Sequence, residues 1–198
     1  MKTFLTLFVL FFSSSVVADD ISDFQIEGMS VGDSLLDYLS KDEIIIKTEF
    51  EKEQGNNKEM GIIYLNNNKG NFKNYRRIKI AYETKDKNYQ ILLITGFVDI
   101  NKDIDKCIIK KQEITEELQN LFNNLEIENS GWREHAFDSS SSTNSSIFNF
   151  PINSEYAPFI RVICYDWSKT SGYSDQLRVE LVSSKYYEWL YTLHQSQN

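Results

Sequence analysis

The residue types that could do chemistry begin with Ser34, which stands in the tetrad Gly-Asp-Ser-Leu at positions 32–35. A serine becomes a nucleophile when a base takes its proton, a carboxylate orients that base, and N–H donors stabilise the oxyanion. The base is usually histidine, and the chain has only two histidines, His135 and His194. A catalytic Ser34 therefore depends on one of them reaching it in the fold.

The tetrad resembles the nucleophile block of a large class of secreted esterases. Those enzymes also carry a Gly-x-Asn-Asp block and an Asp-x-x-His block near the C-terminus. This chain has no Gly-x-Asn-Asp, and the residues three positions before its histidines are Trp132 and Tyr191. We therefore assign no catalytic residue and keep a secreted serine esterase using Ser34 as nucleophile only as the alternative function.

The stretch DINKDID could suggest a metal, because oxygen-bearing residues alternate over positions 99–105 as they do in a calcium loop. Such a loop needs glycine at its sixth position and glutamate at its twelfth. Ile104 and Lys110 occupy those positions. The pattern instead indicates acidic residues at the start of a helix, where the helix dipole favours them. With no phosphate loop or dinucleotide fingerprint either, the sequence predicts no metal and no cofactor.

The N-terminus predicts export. Residues 1–18 contain Lys2, an apolar run over Phe4–Phe12 and a small residue, Ala18, at the expected cleavage point, which together are typical of a signal peptide. A single globular domain is expected over 19–198, with no transmembrane segment after signal removal, because no later stretch approaches the ~20 apolar residues that a membrane helix needs.

The charge argues against polyanionic partners. The chain has 21 basic and 29 acidic residues, a net charge of −8, and removal of Lys2 makes it −9. A chain this acidic repels nucleic acid and anionic membranes unless a basic patch is focused somewhere. The cluster Arg76, Arg77 and Lys79 is better interpreted as the polar face of a strand, so we expect no nucleic-acid partner.

The periodicity predicts the elements that must position any site. Alternation predicts a hairpin over about 76–100, whose second strand is apolar on both faces and therefore central. Spacings of three and four predict one long helix over about 103–124, a short helix with Ser30 as N-cap, and a C-terminal helix near 184–194. The predicted fold class is α+β, with an antiparallel or mixed sheet packed against the long central helix.

The two cysteines suggest a disulfide. An even number of cysteines in an exported chain indicates pairing, and two buried free thiols are the alternative. Cys107 lies on the apolar stripe of the long helix, and Cys164 lies on the apolar face of a strand. If that face receives the helix, the two sulfur atoms meet. Neither cysteine belongs to a C-x-x-C motif, so no redox catalysis or zinc site is predicted.

Two further segments carry expectations. The serine-rich run Ser139–Ser146 is of low complexity and is predicted to be a mobile hairpin tip. In the C-terminal helix, Tyr187, Tyr191 and His194 form a second aromatic line beside the apolar stripe. Burial of the helix on two sides accounts for this line, and a surface for a partner is the functional alternative, in which these three residues are the candidate binding residues.

Three segments, FQIEGMSVGDSLLDYLSKDEI, GFVDINKDIDKCIIKKQEITEEL and VICYDWSKTSGYSDQLRVEL, resemble a family of small exported bacterial proteins. The resemblance implies export and a paired Cys107 and Cys164. It implies no known activity, so no catalytic residue is carried over. It also weakens the esterase interpretation, because in that family the tetrad is followed by a helix.

The sequence therefore favours a non-enzymatic binding or interaction module of the bacterial cell envelope. The protein is expected to be periplasmic or secreted, with an envelope protein or a small ligand as partner. The sequence leaves its oligomeric state open.

Overall fold

A single antiparallel sheet dominates the computed structural model, which describes residues 20–50, 58–68, 70–100, 103–136, 138–152 and 155–195. The predicted signal peptide lies outside these residues. In the described part of the chain, seven strands lie in the order β1-β2-β3-β7-β6-β5-β4, and every neighbouring pair is antiparallel. The strands are β1 (Met60–Asn66), β2 (Arg77–Glu83), β3 (Ile91–Val98), β4 (Ile127–His135), β5 (Asp138–Asn149), β6 (Phe159–Asp166) and β7 (Gln176–Val182).

Three α-helices and two 3₁₀ turns complete the described structure. The helices are α1 (Lys41–Lys47), α2 (Ile104–Leu121) and α3 (Ser184–Gln195), and the turns are Ile21–Asp23 and Leu35–Asp37. No helix among the described residues is long and apolar enough to cross a membrane.

The sheet is covered on both faces because its central strands are apolar on both faces. On one face, residues such as Ile80 and Leu181 form the main core with α2 and the N-terminal segment. On the other face, a second cluster containing Leu93 and Val182 packs under Tyr186 of α3. The prediction that β3 is a central strand is confirmed, because it lies between β2 and β7.

The disulfide is present between Cys107 of α2 and Cys164 of β6, with Cα atoms 5.9 Å apart. Both cysteines are fully buried. The bridge therefore fixes α2 on the main core, as the helix and strand periodicities predicted.

The predicted fold class was wrong. The protein is mostly β, a seven-stranded antiparallel sheet with short helices, and not an α+β fold packed against one long central helix. The reason is that α2 has 18 residues and packs mainly on β6 and β7. The N-terminal segment, through residues such as Phe24, Leu35 and Ile44, contributes the rest of the covering of that face.

The short N-terminal helix also differs from the prediction. Ser30 is buried, and its hydroxyl lies 2.8 Å from the Ser22 carbonyl and 2.7 Å from the Phe24 carbonyl, so it ties loops together. A 3₁₀ turn begins after Ser34, and α1 begins only after its N-cap Ser40.

The serine-rich run Ser139–Ser146 is strand, not hairpin tip. It belongs to β5, which pairs with both β4 and β6. Its hydroxyls find partners across the sheet: Ser146 donates to the Asn129 side chain at 2.6 Å, and the Ser145 and Ser130 hydroxyls lie 3.1 Å apart. Pairing on both sides overrides the low strand propensity of serine, and it accounts for much of the unpredicted β content.

Candidate functional site

A cleft of about 550 Å³ opens beside strand β1, and we call it the edge cleft. Its walls are the N-terminal segment, helix α1, and the end of β1 with the loop that follows. The described residues that line it are Glu27, Met29, Tyr38, Leu39, Glu43, Lys47, Tyr64, Leu65, Asn66, Asn68, Asn71 and Phe72.

Tyr38 is the main aromatic residue of the N-terminal wall. Its hydroxyl donates to the Asp33 carboxylate at 2.6 Å and lies 3.1 Å from the Gly28 carbonyl, while 40% of the residue is exposed. Partial burial of the hydroxyl and the Asp33 carboxylate hold the pKa of Tyr38 above its ordinary value. The hydroxyl is thus held in place, and part of the residue remains exposed in the cleft.

Helix α1 forms the second wall and begins with a capping box. The Glu43 N–H donates to the Ser40 hydroxyl at 3.3 Å, and the Ser40 N–H donates to the Glu43 carboxylate at 3.0 Å. Hydrogen bonds to the carboxylate from the Ser40 N–H and, second, from the Ser40 hydroxyl at 2.8 Å lower the pKa of Glu43. The Glu43 carboxylate therefore serves the helix start, while Lys47 adds an exposed cation in the last turn.

Asn67 organises the third wall, the loop after β1. Its side-chain N–H₂ donates to the Phe72 and Tyr75 carbonyls at 2.8 and 3.2 Å, and its side-chain oxygen accepts from the Phe72 N–H at 2.9 Å. Glu27 joins this loop to the N-terminal wall by accepting from the Asn74 N–H at 2.7 Å. The walls are therefore connected by hydrogen bonds and need not assemble when a ligand arrives.

The edge cleft combines polar and aromatic side chains. Within the described residues, the side-chain amides of Asn66, Asn68 and Asn71 make no hydrogen bond. An amide side chain both donates and accepts hydrogen bonds, and a tyrosine or phenylalanine ring offers an apolar face. The cleft thus presents unengaged polar groups beside aromatic rings, and no histidine, serine or cysteine is among its described lining residues.

Ser34 lies in a separate open cleft of about 450 Å³, the Ser34 cleft. Its hydroxyl donates to the Asn88 carbonyl at 2.7 Å and accepts from the Leu36 N–H at 3.2 Å. The described lining residues are Gly32, Ser34, Glu83, Lys85, Asp86, Asn88, Gln90 and Lys185. The Ser34 proton is therefore directed at a backbone carbonyl, and the oxygen caps the turn Leu35–Asp37.

The described histidine is in another part of the molecule. His135 packs on Trp167 and Tyr165, with ring centroids 4.6 and 5.9 Å away, and is not among the described residues that line the Ser34 cleft. Its pKa is lowered, mainly by burial. The structure does not bring it together with Ser34.

The candidate binding residues of the C-terminal helix form a small aromatic cluster with neighbouring loops. Tyr187 packs against Phe159 and Tyr156, with ring centroids 5.3 and 5.8 Å away. Tyr191 is 43% exposed and lies 5.5 Å from the Tyr156 ring. The side chain of His194 lies outside the described structure. Neither Tyr187 nor Tyr191 is among the described residues that line the two clefts.

The alternating acids near the start of α2 serve the helix. The Asp103 carboxylate caps α2 by accepting from the Lys106 N–H at 3.1 Å. Asn101 falls outside the described residues. Among those that are described, no three histidine, cysteine, aspartate or glutamate residues cluster as metal ligands would.

A row of alternating arginine and aromatic side chains crosses the sheet, and sequence reasoning did not predict it. Arg77 lies 5.0 Å from the Tyr64 ring and 4.3 Å from the Phe97 ring. Arg178 lies 5.1 Å from Phe97 and 4.1 Å from Tyr165. Once the strand order is known, alternation along the strands places all five on one face. The alternation is visible in the sequence, but the strand pairing is required to bring the five residues together.

Glu180 neutralises the cations of this face. It is 5% exposed, accepts from the Arg161 guanidinium at 2.8 Å, and lies 3.8 Å from that of Arg178. Burial opposes its ionisation, but the charges of Arg161 and Arg178 outweigh that effect and hold the pKa of Glu180 below its ordinary value. Glu180 is therefore a structural carboxylate at the centre of the sheet.

The edge cleft was also missed, because its walls come from three separate segments. Its only local signal was the asparagine-rich stretch after β1, which the sequence indicated as a turn. No family model, no curated protein and no solved structure matches this chain. The geometry of its own surfaces is therefore what bears on function.

Proposed function

We propose that the protein is an exported, non-enzymatic binding module of the bacterial cell envelope, and that the edge cleft is its binding site. One observation carries the proposal. The amides of Asn66, Asn68 and Asn71 make no hydrogen bond within the described residues and line the same cleft as the partly exposed Tyr38. Polar groups left open beside aromatic rings are the usual composition of a ligand site.

The hydrogen bonds that the two carboxylates of the edge cleft accept support a binding function and not acid–base catalysis. Glu43 accepts from the Ser40 N–H, and Glu27 accepts from the Asn74 N–H. A general acid or base must exchange protons with a substrate, whereas these groups hold two of the walls. The cleft therefore offers recognition without a set of groups arranged for proton transfer.

Export is supported by the predicted signal peptide, the resemblance to small exported bacterial proteins, and the disulfide. Disulfides form and persist in oxidising compartments such as the bacterial periplasm. Fractionation of the native host should recover the protein outside the cytoplasm, and sequencing its N-terminus should give Asp19 as the first residue. Full-length protein retained in the cytoplasm would contradict export.

Photo-crosslinking in cells tests the binding proposal. A benzoylphenylalanine placed at Phe72 lies in the edge cleft, and one placed at the exposed Tyr173 serves as an aromatic control away from it. We expect a discrete crosslinked envelope component from position 72 that position 173 does not give. Identical products from both positions, or none from position 72, would count against the edge cleft as the binding site.

A hydrolase using Ser34 is the second candidate. It is favoured by the position of Ser34 in an open cleft that two lysines, Lys85 and Lys185, also line. Lysine can replace histidine as the base in some hydrolases. Against it, Lys185 is paired with Glu83, and the Ser34 hydroxyl donates to a backbone carbonyl. Serine-reactive labelling, described below, separates the two candidates.

A further inference from the structure

Among the described residues, the outer backbone edge of β1 is paired at Ile62 and open from there toward Asn66. Ile62 exchanges two hydrogen bonds with Glu49: the Glu49 N–H donates to the Ile62 carbonyl at 2.8 Å, and the Ile62 N–H donates to the Glu49 carbonyl at 2.9 Å. Along an antiparallel strand, successive residues direct their backbone groups to opposite sides. Tyr64 and Asn66, two and four residues later, therefore direct their N–H and carbonyl groups away from β2, on the side of the edge cleft.

The inner side of the strand confirms this alternation. The Asn67 N–H donates to the Arg76 carbonyl at 3.0 Å, and the Thr84 N–H donates to the Glu59 carbonyl at 2.8 Å. Odd-numbered residues thus pair with β2 and its flanks. Within the described residues, the outward backbone groups of Tyr64 and Asn66 have no hydrogen-bond partner.

The segment that contains Glu49 pairs with β1 at Ile62 and does not continue opposite Tyr64, for a local reason. Glu49 lies antiparallel to Ile62, so the residue that would continue the pairing opposite Tyr64 is Lys47. Lys47 is the last residue of α1, and a helical residue cannot extend a β-ladder. The chain becomes extended only at Thr48. The helix therefore leaves a gap along the sheet edge, and the edge cleft occupies it.

We propose that the Tyr64–Asn66 edge binds an extended segment of a second polypeptide by strand addition, in line with the strand position that Glu49 occupies. The proposal rests on the binding function above and names its ligand class. Two N–H groups and two carbonyls of β1 supply the backbone hydrogen bonds, and such pairing gives affinity with little dependence on sequence. Alternate side chains of the bound segment face the ring of Tyr38 and the amides of Asn68 and Asn71.

The charge of the edge cleft and the length of the open strand edge restrict the kind of segment that can bind. The edge cleft holds two carboxylates, Glu27 and Glu43, against one cation, Lys47, and the whole chain carries −8. A neutral or basic segment is therefore preferred. Since each strand residue rises about 3.4 Å, the open edge between the pairing at Ile62 and the loop after Asn66 takes a segment of about three to five residues.

The test is a titration of the oxidised, ¹⁵N-labelled protein with the peptide acetyl-Lys-Val-Thr-Val-Lys-amide. A matched peptide, N-methylated at its central threonine and at the following valine, lacks one donor on each edge of the strand. We expect millimolar or tighter binding of the first peptide, with amide shifts at Tyr64 and Asn66, and about tenfold weaker binding or none of the second.

Two variants at Asn66 separate backbone pairing from side-chain recognition. Asn66→Pro removes the outward N–H, and an edge strand tolerates proline at such a position. Asn66→Ala keeps that N–H and removes the side-chain amide. We expect about tenfold weaker binding for Asn66→Pro and little change for Asn66→Ala. Should Asn66→Pro fail to fold, the comparison of the two peptides still decides the question.

The outcomes separate this inference from the proposed function. Equal binding of both peptides, or no shift with the first peptide at millimolar concentration, overturns strand addition. A third outcome is that chitotriose shifts the edge-cleft amide signals while the peptide does not. This result would also overturn strand addition, but the protein would remain a binding module, with a glycan as its ligand. If crosslinking from Phe72 also captures nothing, the binding function falls with it.

Discussion

The two edges of the sheet are built differently. Strand β1 is regular, paired with Glu49 at Ile62, and open at Tyr64 and Asn66 beside the edge cleft. Strand β4, at the other edge, breaks its register with β5 twice, between Asn129 and Gly131 and between Glu134 and His135. Bulges and charged side chains are devices that prevent an edge strand from pairing with another chain.

The β4 edge carries both devices. Gly131 takes a φ of +63°, and the Arg133 side chain donates to the Ser130 carbonyl at 3.2 Å, so the bulge keeps its own carbonyl occupied. The β1 edge has neither over Tyr64–Asn66. The contrast between a bulged β4 edge and a regular β1 edge beside a cleft supports the proposal that β1 is the edge that pairs with another chain.

The largest effect is expected from Glu180→Gln, which tests whether the two edges belong to one cooperative unit. Glu180 lies on β7, where the β1–β3 half of the sheet meets the β4–β7 half. Removing its charge leaves Arg161 and Arg178 without their carboxylate, and we expect about 3 kcal/mol less stability in urea unfolding. Glu188→Gln, at an exposed position of α3, is the control. A loss no larger than that of the control would contradict the role of the buried pair.

Glu180 also makes the stability of the fold depend on pH under acidic conditions. Because the pKa of Glu180 is held below its ordinary value in the folded protein, its contribution is fully present above pH ~4.3, the ordinary value for glutamate. The contribution is lost as the pH falls through the lower, folded-state value. Below pH ~4.3 the wild-type urea midpoint should therefore fall more steeply than that of Glu180→Gln. Parallel pH profiles would show that Glu180 is not the group responsible.

The β4 bulge is tested by Gly131→Ala. A β-carbon at Gly131 meets no atom within 4 Å, so the cost comes only from its φ of +63°. An L-residue in the left-handed region costs about 1–2 kcal/mol, and thermal or urea unfolding should show that loss. Glu128→Ala, at an exposed neighbouring position in extended backbone, should change the stability by far less. No difference between the two variants would mean that the bulge can relax.

The wall of the edge cleft is tested by Ser34→Ala. The variant loses the cap of the turn that precedes Tyr38 and the hydrogen bond to the Asn88 carbonyl, and we expect about 1 kcal/mol less stability. Ser22→Ala, at an exposed position, is the control. A fluorophosphonate probe should not label the folded wild type. Labelling that disappears in Ser34→Ala would restore the hydrolase.

The smallest effect concerns the tip that joins β4 to β5. Hydrogen bonds from the Ser140 and Ser141 hydroxyls lower the pKa of Asp138 to about 2. In Ser140→Ala, an NMR titration of the carboxyl group should move that pKa toward the ordinary value. Ser139→Ala, the neighbouring exposed serine, should leave it in place. An unchanged Asp138 titration in Ser140→Ala would mean that the tip hydrogen bonds do not set it.

The parts of the fold that depend on local periodicity could be predicted from the sequence. The hairpin of β2 and β3 alternates clearly, and the stripes of α2 and β6 placed Cys107 and Cys164 face to face. The Ser139–Ser146 run could not be assigned in the same way, because serine has low strand propensity and its strand is stabilised by pairing with β4 and β6. That pairing is non-local, so propensity alone predicts a loop.

The candidate site was harder to predict than the fold. Tyr38, Lys47 and Phe72 are separated along the chain and meet only because the N-terminal segment folds over the main core and α1 ends before the edge of β1 is covered. The aromatic line of α3 was visible in the sequence. Most of the apolar side of the helix, including Tyr186, packs on the sheet and is not available to a partner. Position relative to strand edges, which the sequence does not contain, decides which surface remains open.

The most direct test of the open β1 edge is amide hydrogen exchange measured by NMR on the free protein. We predict slow exchange at Ile62, which is bonded to Glu49, and at Ile63 and Leu65, which pair with β2. We predict far faster exchange at Tyr64 and Asn66, whose N–H groups point into the gap. Protection at Tyr64 and Asn66 equal to that of their neighbours would show that the edge is already closed, and strand addition there would be ruled out.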